Sequence, residues 1–102
     1  MRQLHIRVAL QYMGVLRARD ALEVASRTLQ RAEQNLDIVQ TRVRSGAAAG
    51  TEGRQAEVDL GRAEADLIRA RRSVRESRLL LSEEIGVTLP ADVELELSLI
   101  HI

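Results

Sequence analysis

The chain has no cysteine, phenylalanine, tryptophan or lysine, and only one tyrosine and one proline in 102 residues. Without cysteine there are no disulfides and no thiolate metal sites, which leaves the compartment undecided. With Tyr12 as the only aromatic, there is little from which to build a globular interior. A lone pair of helices has no core beyond its seam, and at about 25 cal/mol per Å2 of apolar area that seam gains little over chain entropy. The composition suits a long coiled coil that requires neighbours, either other segments of a longer chain or other copies.

Neither sign of charge prevails. Fifteen arginines balance fifteen acidic residues, which argues against a nucleic-acid or anionic-membrane surface. No apolar run approaches the about 18 residues of a membrane-spanning helix. Arg2, His5 and Arg7 interrupt any signal-peptide core within Met1 to Leu10. A helical pattern already runs at Leu4 and Val8, so the sequence reads as one whose true N-terminus lies further upstream.

What the chain does contain is a heptad. Val8, Val15, Leu22, Leu29, Leu36 and Val43 recur every seven positions, with Ala18, Ala25, Ala32 and Val39 three further on. After a glycine-rich stretch the two rows return as Leu60, Leu67, Val74, Leu81 and Ala56, Ala63, Ala70, Ser77. Each half therefore carries a continuous apolar seam on one side of a helix. Folding the chain back at Ala49–Gly50 brings together positions whose numbers sum to 99: Leu36 with Ala63, Ala32 with Leu67, Leu29 with Ala70, Ala25 with Val74, Leu22 with Ser77, Ala18 with Leu81. Nearly every layer sets a large residue against a small one, which fills space and lets the backbones come close. The expected fold is all-α, a long antiparallel two-helix coiled-coil hairpin.

The hairpin is expected over 1–90, with a helix over about 3–44, a turn over 45–51 and a helix over about 52–85. The first helix would be roughly 60 Å long at 1.5 Å per residue. Gly14 is its weak point and calls for a close helix neighbour. Gly46 offers a left-handed C-cap, Thr51 a candidate N-cap, and Glu52 a negative charge where the second helix dipole favours it. Gly86 followed by Pro90 is a stop signal. Outer-face pairs at helical spacing, Arg17–Asp20, Arg19–Glu23, Glu23–Arg27, Arg62–Asp66 and Arg72–Glu76, are each worth a few tenths of a kcal/mol at about 0.2–0.5. The run Arg69, Arg71, Arg72, Arg75, Arg78 reads as a solvated face in preference to a nucleic-acid or lipid-headgroup site.

Both helices also carry a weaker apolar row off the seam: Leu10, Met13 and Val24 on the first, Val58, Gly61, Ala65 and Ile68 on the second. A helix apolar on two sides is sandwiched between two neighbours, which favours a multi-helix wall over a free rod. His5 and His101 stand far apart with no cysteine beside them, so no metal site is expected. Adjacent Glu83 and Glu84 do not face one another, and no pocket tunes a carboxylate, so neither catalysis nor a cofactor is expected.

Several stretches resemble the outer membrane efflux protein family, the TolC-like exit ducts of Gram-negative bacteria. Tyr12 followed by Val15-Leu16-Arg17-Ala18-Arg19 and Ala21-Leu22-Glu23-Val24-Ala25 is similar to the family's text. So are Arg42-Val43-Arg44-Ser45-Gly46 at the tip, Ala56-Glu57-Val58 with Leu60 after it, and the ending Ile85-Gly86-Val87 with Leu89-Pro90. Glu52 stands where the family usually has Asp, and Ala47 and Ala49 depart from its branched apolar and Ser/Thr tip residues. The likeness covers about positions 8 to 96.

The resemblance implies a structural segment of a trimeric outer-membrane channel for efflux or type I secretion, part of a larger α-helical barrel that forms a periplasmic tunnel. Its barrel strands and second repeat would lie outside this chain, and Pro90 to Glu96 mildly favours the first repeat. The resemblance further implies a homotrimer, an inner-membrane pump, and a periplasmic adaptor protein docked at Gly46, Ala47, Ala48, Ala49, Gly50, Thr51 and Glu52, with the channel in the outer membrane and this segment in the periplasm. The residues by themselves leave the turn open between a plain connector and a docking tip. They also leave open the hairpin of a periplasmic adaptor, or a cytosolic coiled-coil scaffold. Residues 91–96 read as the start of a connecting segment. Leu97-Ser98-Leu99-Ile100-His101-Ile102 resembles the translation of a sequencing-library transposon adapter and is expected to be a non-native tail, the alternative being a short native strand from Val93 onward.

Overall fold

The computed structural model describes residues 2–87. Two α-helices make up this span, α1 over Arg2–Arg44 and α2 over Gly50–Val87. The connecting segment and the tail proposed for 91–102 lie outside the described residues. The turn is shorter than the glycines alone imply: Gly50 and Thr51 already belong to α2, so Thr51 sits inside the helix and not at its cap. The Ala49 carbonyl accepts the Glu52 N–H at 3.0 Å and opens the first turn.

Packing divides the chain into two compact units, one built from 20–72 and the other from the two chain ends, of which 2–19 and 73–87 are described. In the first, Ala56, Ala63 and Leu67 are buried, and Leu22, Ala25, Leu29, Ala32, Leu36, Val39, Val43, Leu60 and Ala70 are half-buried. In the second, Val8, Val15, Ala18 and Val74 are buried, with Ser77 and Leu81 half-buried. Every position of the two heptad rows is thus withdrawn from solvent. The seam expected from the period of seven is the seam observed.

The two most completely covered side chains among the described residues are alanines of the seam, Ala56 at 2% and Ala63 at 4% exposure. A methyl side chain leaves so little projecting that the facing helix closes over it, while a leucine in a two-helix seam keeps an edge in water. Ser77 tolerates a seam position because its hydroxyl bonds back to the Val74 carbonyl at 2.9 Å, leaving no donor unpaired.

Outside the seam the helices carry charged side chains together with exposed large apolar ones. Glu23 pairs with Arg27 at 2.6 Å, and Asp66 with Arg69 at 2.5 Å in place of Arg62. All four side chains are more than half exposed, so their contribution is small. Gly14 has no close helix neighbour, since a methyl group built there meets nothing within 4 Å. The close approach expected at Gly14 is therefore absent.

Candidate functional site

The turn is built by its hydrogen bonds. Gly46 adopts φ +81°, a left-handed conformation that a residue with a side chain rarely takes. That reversal swings the following N–H groups back onto the last turn of α1. Gly46 N–H donates to the Val43 carbonyl at 3.1 Å, and Ala47 N–H to the Arg42 carbonyl at 2.8 Å, the two bonds of a Schellman cap. The Arg42 carbonyl also accepts from Ala48 N–H at 3.2 Å and from the Ser45 hydroxyl at 3.0 Å. Carbonyls at the end of α1 that would otherwise be orphaned are thus satisfied within six residues. Arg42 and Arg44 in the last turn of α1, and Glu52 in the first turn of α2, complement the two dipoles.

Of the residues assigned to the tip, Gly46, Ala47, Ala49, Gly50, Thr51 and Glu52 are exposed and Ala48 is half-buried. They form a hydrogen-bonded cap whose outer surface carries backbone, alanine methyl groups and the side chains of Thr51 and Glu52. Beside it lies an open recess of about 380 Å3. Val43, Gly50 and Gly53 line it together with the polar side chains of Gln40, Arg44, Arg54 and Glu57.

Only Gly50 belongs to both the cap and the recess. The other lining residues escape a reading centred on the turn, yet one signal was present. Gly53 stands seven residues before Leu60, so the row that carries leucine and valine elsewhere in α2 carries glycine here. A notch in the seam is the result.

That notch is not a steric necessity. A methyl group built on Gly53 would lie 3.6 Å from Val43 Cγ2, an ordinary van der Waals contact, and the backbone there is helical. Gly53→Ala is therefore expected to raise the stability of the hairpin by about 1 kcal/mol, from helix propensity alone. A thermal melt followed by circular dichroism checks this, and a lower melting temperature would contradict it.

Among the described residues no group of histidine and carboxylate side chains could hold a metal ion, and neither helix is long and apolar enough to cross a membrane. The fold and the tip define a structural coiled-coil hairpin with a capped, small-residue end. Residues 2–87 match the family model described as outer membrane efflux protein, and the chain belongs to that family. No curated protein and no solved structure matches it. Membership implies outer-membrane efflux channel function, in a transport family that forms trimers and works with an adaptor and an inner-membrane pump.

Proposed function

We propose that this hairpin is one wall element of the periplasmic α-helical tunnel of a trimeric channel, and that its tip, Gly46 to Glu52, docks the periplasmic adaptor. The observation that carries this reading is the second apolar surface. Ile6, Leu10, Met13, Leu79 and Leu80 in one unit, and Val24, Ile38, Val58 and Ile68 in the other, are 52–63% exposed although the seam is closed. So many large apolar side chains left in water call for further helices against those outer faces, as a tunnel wall provides. Family membership favours this duct over the hairpin of an adaptor and over a cytosolic scaffold.

The tip's chemistry fits a docking role. The N–H groups of Gly46, Ala47 and Ala48 are spent on the cap, so a partner meets a firm surface of backbone and methyl groups beside the Thr51 and Glu52 side chains. Energy would come from the pump, the hairpins serving as a wall that shifts at the tip to open.

The absence of native cysteine makes a direct test available. Single cysteines at Ala47, Ala49 and Thr51 of the parent channel are expected to cross-link to the adaptor in cells, whereas cysteines at exposed Ser26 and Asp66 on the helix flanks are not. Equal cross-linking at tip and flank, or none at the tip, would defeat the docking assignment.

A further inference from the structure

The two seam rows contain one charged residue. Extending the alanine row of α2 by seven positions beyond Ser77 reaches Glu84, and extending the alanine row of α1 back from Ala18 reaches Gln11. Both lie in the unit formed by the chain ends. The Glu84 side chain is 18% exposed, and its Oε1 lies 3.5 Å from Nε of Arg7, one helical turn from Gln11 on the same face of α1. Gln11 itself is half-buried, with its carbonyl oxygen Oε1 buried and without a hydrogen-bond partner. A seam that is otherwise alanine, leucine, valine and serine is interrupted at this point by a polar layer joining the two helices.

We infer that Arg7, Gln11 and Glu84 determine which helices can pair, admitting α1 against α2 and disfavouring the pairing of two copies of the same helix through the seam. An alanine and leucine seam selects poorly, because each helix offers the same pattern to the other and to a second copy of itself. The polar layer removes that ambiguity. Only α2 brings a carboxylate into the seam, and only α1 brings the arginine that reaches it. In an in-register parallel pair of α2 helices, two Glu84 carboxylates meet with no arginine between them. In a pair of α1 helices, Arg7 and Gln11 find no acidic seam partner. An incompletely paired charge in a seam is strongly disfavoured, and a single polar seam position is a known means of specifying partner and register. The wrong pairing is thus penalised while the right one gains little, which is how discrimination by repulsion works.

The test uses the 102-residue chain with a single cysteine replacing Leu81, on the seam one turn before Glu84, and follows interchain disulfide formation under mild oxidation. With the native layer this reaction is expected to be slow. With the layer made apolar by Gln11→Leu and Glu84→Leu together, it is expected to run about tenfold faster, because seam pairing between copies is no longer penalised. The double charge reversal Arg7→Glu with Glu84→Arg keeps an opposite-charge pair between the helices and is expected to restore the slow rate. Amide hydrogen exchange over 77–85 confirms that each variant retains the folded helix pair. An apolar layer that leaves the rate unchanged or lowers it overturns the inference. So does a double reversal as fast as the apolar variant.

Discussion

Leucine in place of Ala63 is expected to lower the melting temperature of the hairpin by about 5–15 °C. Ala63 is 4% exposed, on a stretch of α2 where the facing helix closes down to a methyl group. Three added carbons cannot fit without moving the facing helix or forcing a strained rotamer, and such overpacking costs about 1–3 kcal/mol. For a chain of this size that energy corresponds to the stated shift. The heptad reading places Leu36 in the same layer, so a second substitution, Leu36→Ala, is expected to return most of the loss. Circular dichroism melts of the single and double variants measure both effects. A single variant that melts like the parent would remove the argument that small residues set the helix separation.

The converse substitution is expected to cost at least as much. Leu67 is 8% exposed and is the most deeply covered leucine of the seam. Leu67→Ala deletes three carbons and leaves a gap that two straight helices can only partly close, at about 2–4 kcal/mol. The same substitution at a flank position such as exposed Leu79 is expected to change the melting temperature by a much smaller amount, since no cavity forms there. Comparable losses at 67 and 79 would mean that seam and flank are not distinct, and would contradict the burial pattern.

The two substitutions probe one design from opposite sides. A two-helix seam has no third layer to absorb an error, so the volume at each level is shared between the facing side chains. The same geometry explains why nine large apolar side chains among the described residues are more than half exposed. Each helix can bury one stripe against its single partner, and any second stripe must wait for another neighbour.

The tip follows another logic. Gly46 answers a backbone requirement, the left-handed residue of the cap, whereas Gly53 answers none that the hairpin itself imposes. A helix that gives up about 1 kcal/mol at a position where alanine fits is departing from local preference without a local return. Departures of that kind gather where a protein meets something else. The recess beside the cap therefore belongs with the docking surface proposed for Gly46 to Glu52.

Much of this could be read from one dimension. A period of seven defines a stripe on each helix whatever surrounds it, so the seam from Val8 to Val43 and from Ala56 to Leu81 followed from spacing alone. The reversal at Ser45–Gly46 followed because glycine without a Cβ takes φ +81° at little cost. The family likeness was equally a property of the text.

What periodicity does not carry is how one helix meets the other through long side chains. The register summing to 99 sets Glu84 opposite Val15, yet within the two units the contacts across the helices are Arg7 with Glu84 and Val43 with Gly53, whose numbers sum to 91 and 96, so the helices meet in a register shifted from the one that layer-matching suggests. Asp66 likewise takes Arg69 over Arg62, a choice of rotamer and not of spacing. Gly14 has open space where a neighbour was expected, and Gly53, inside the expected second helix, has Val43 beside it. Spacing along a helix decides which face a residue occupies; distance across the seam, and the reach of the side chains there, decides what that residue does.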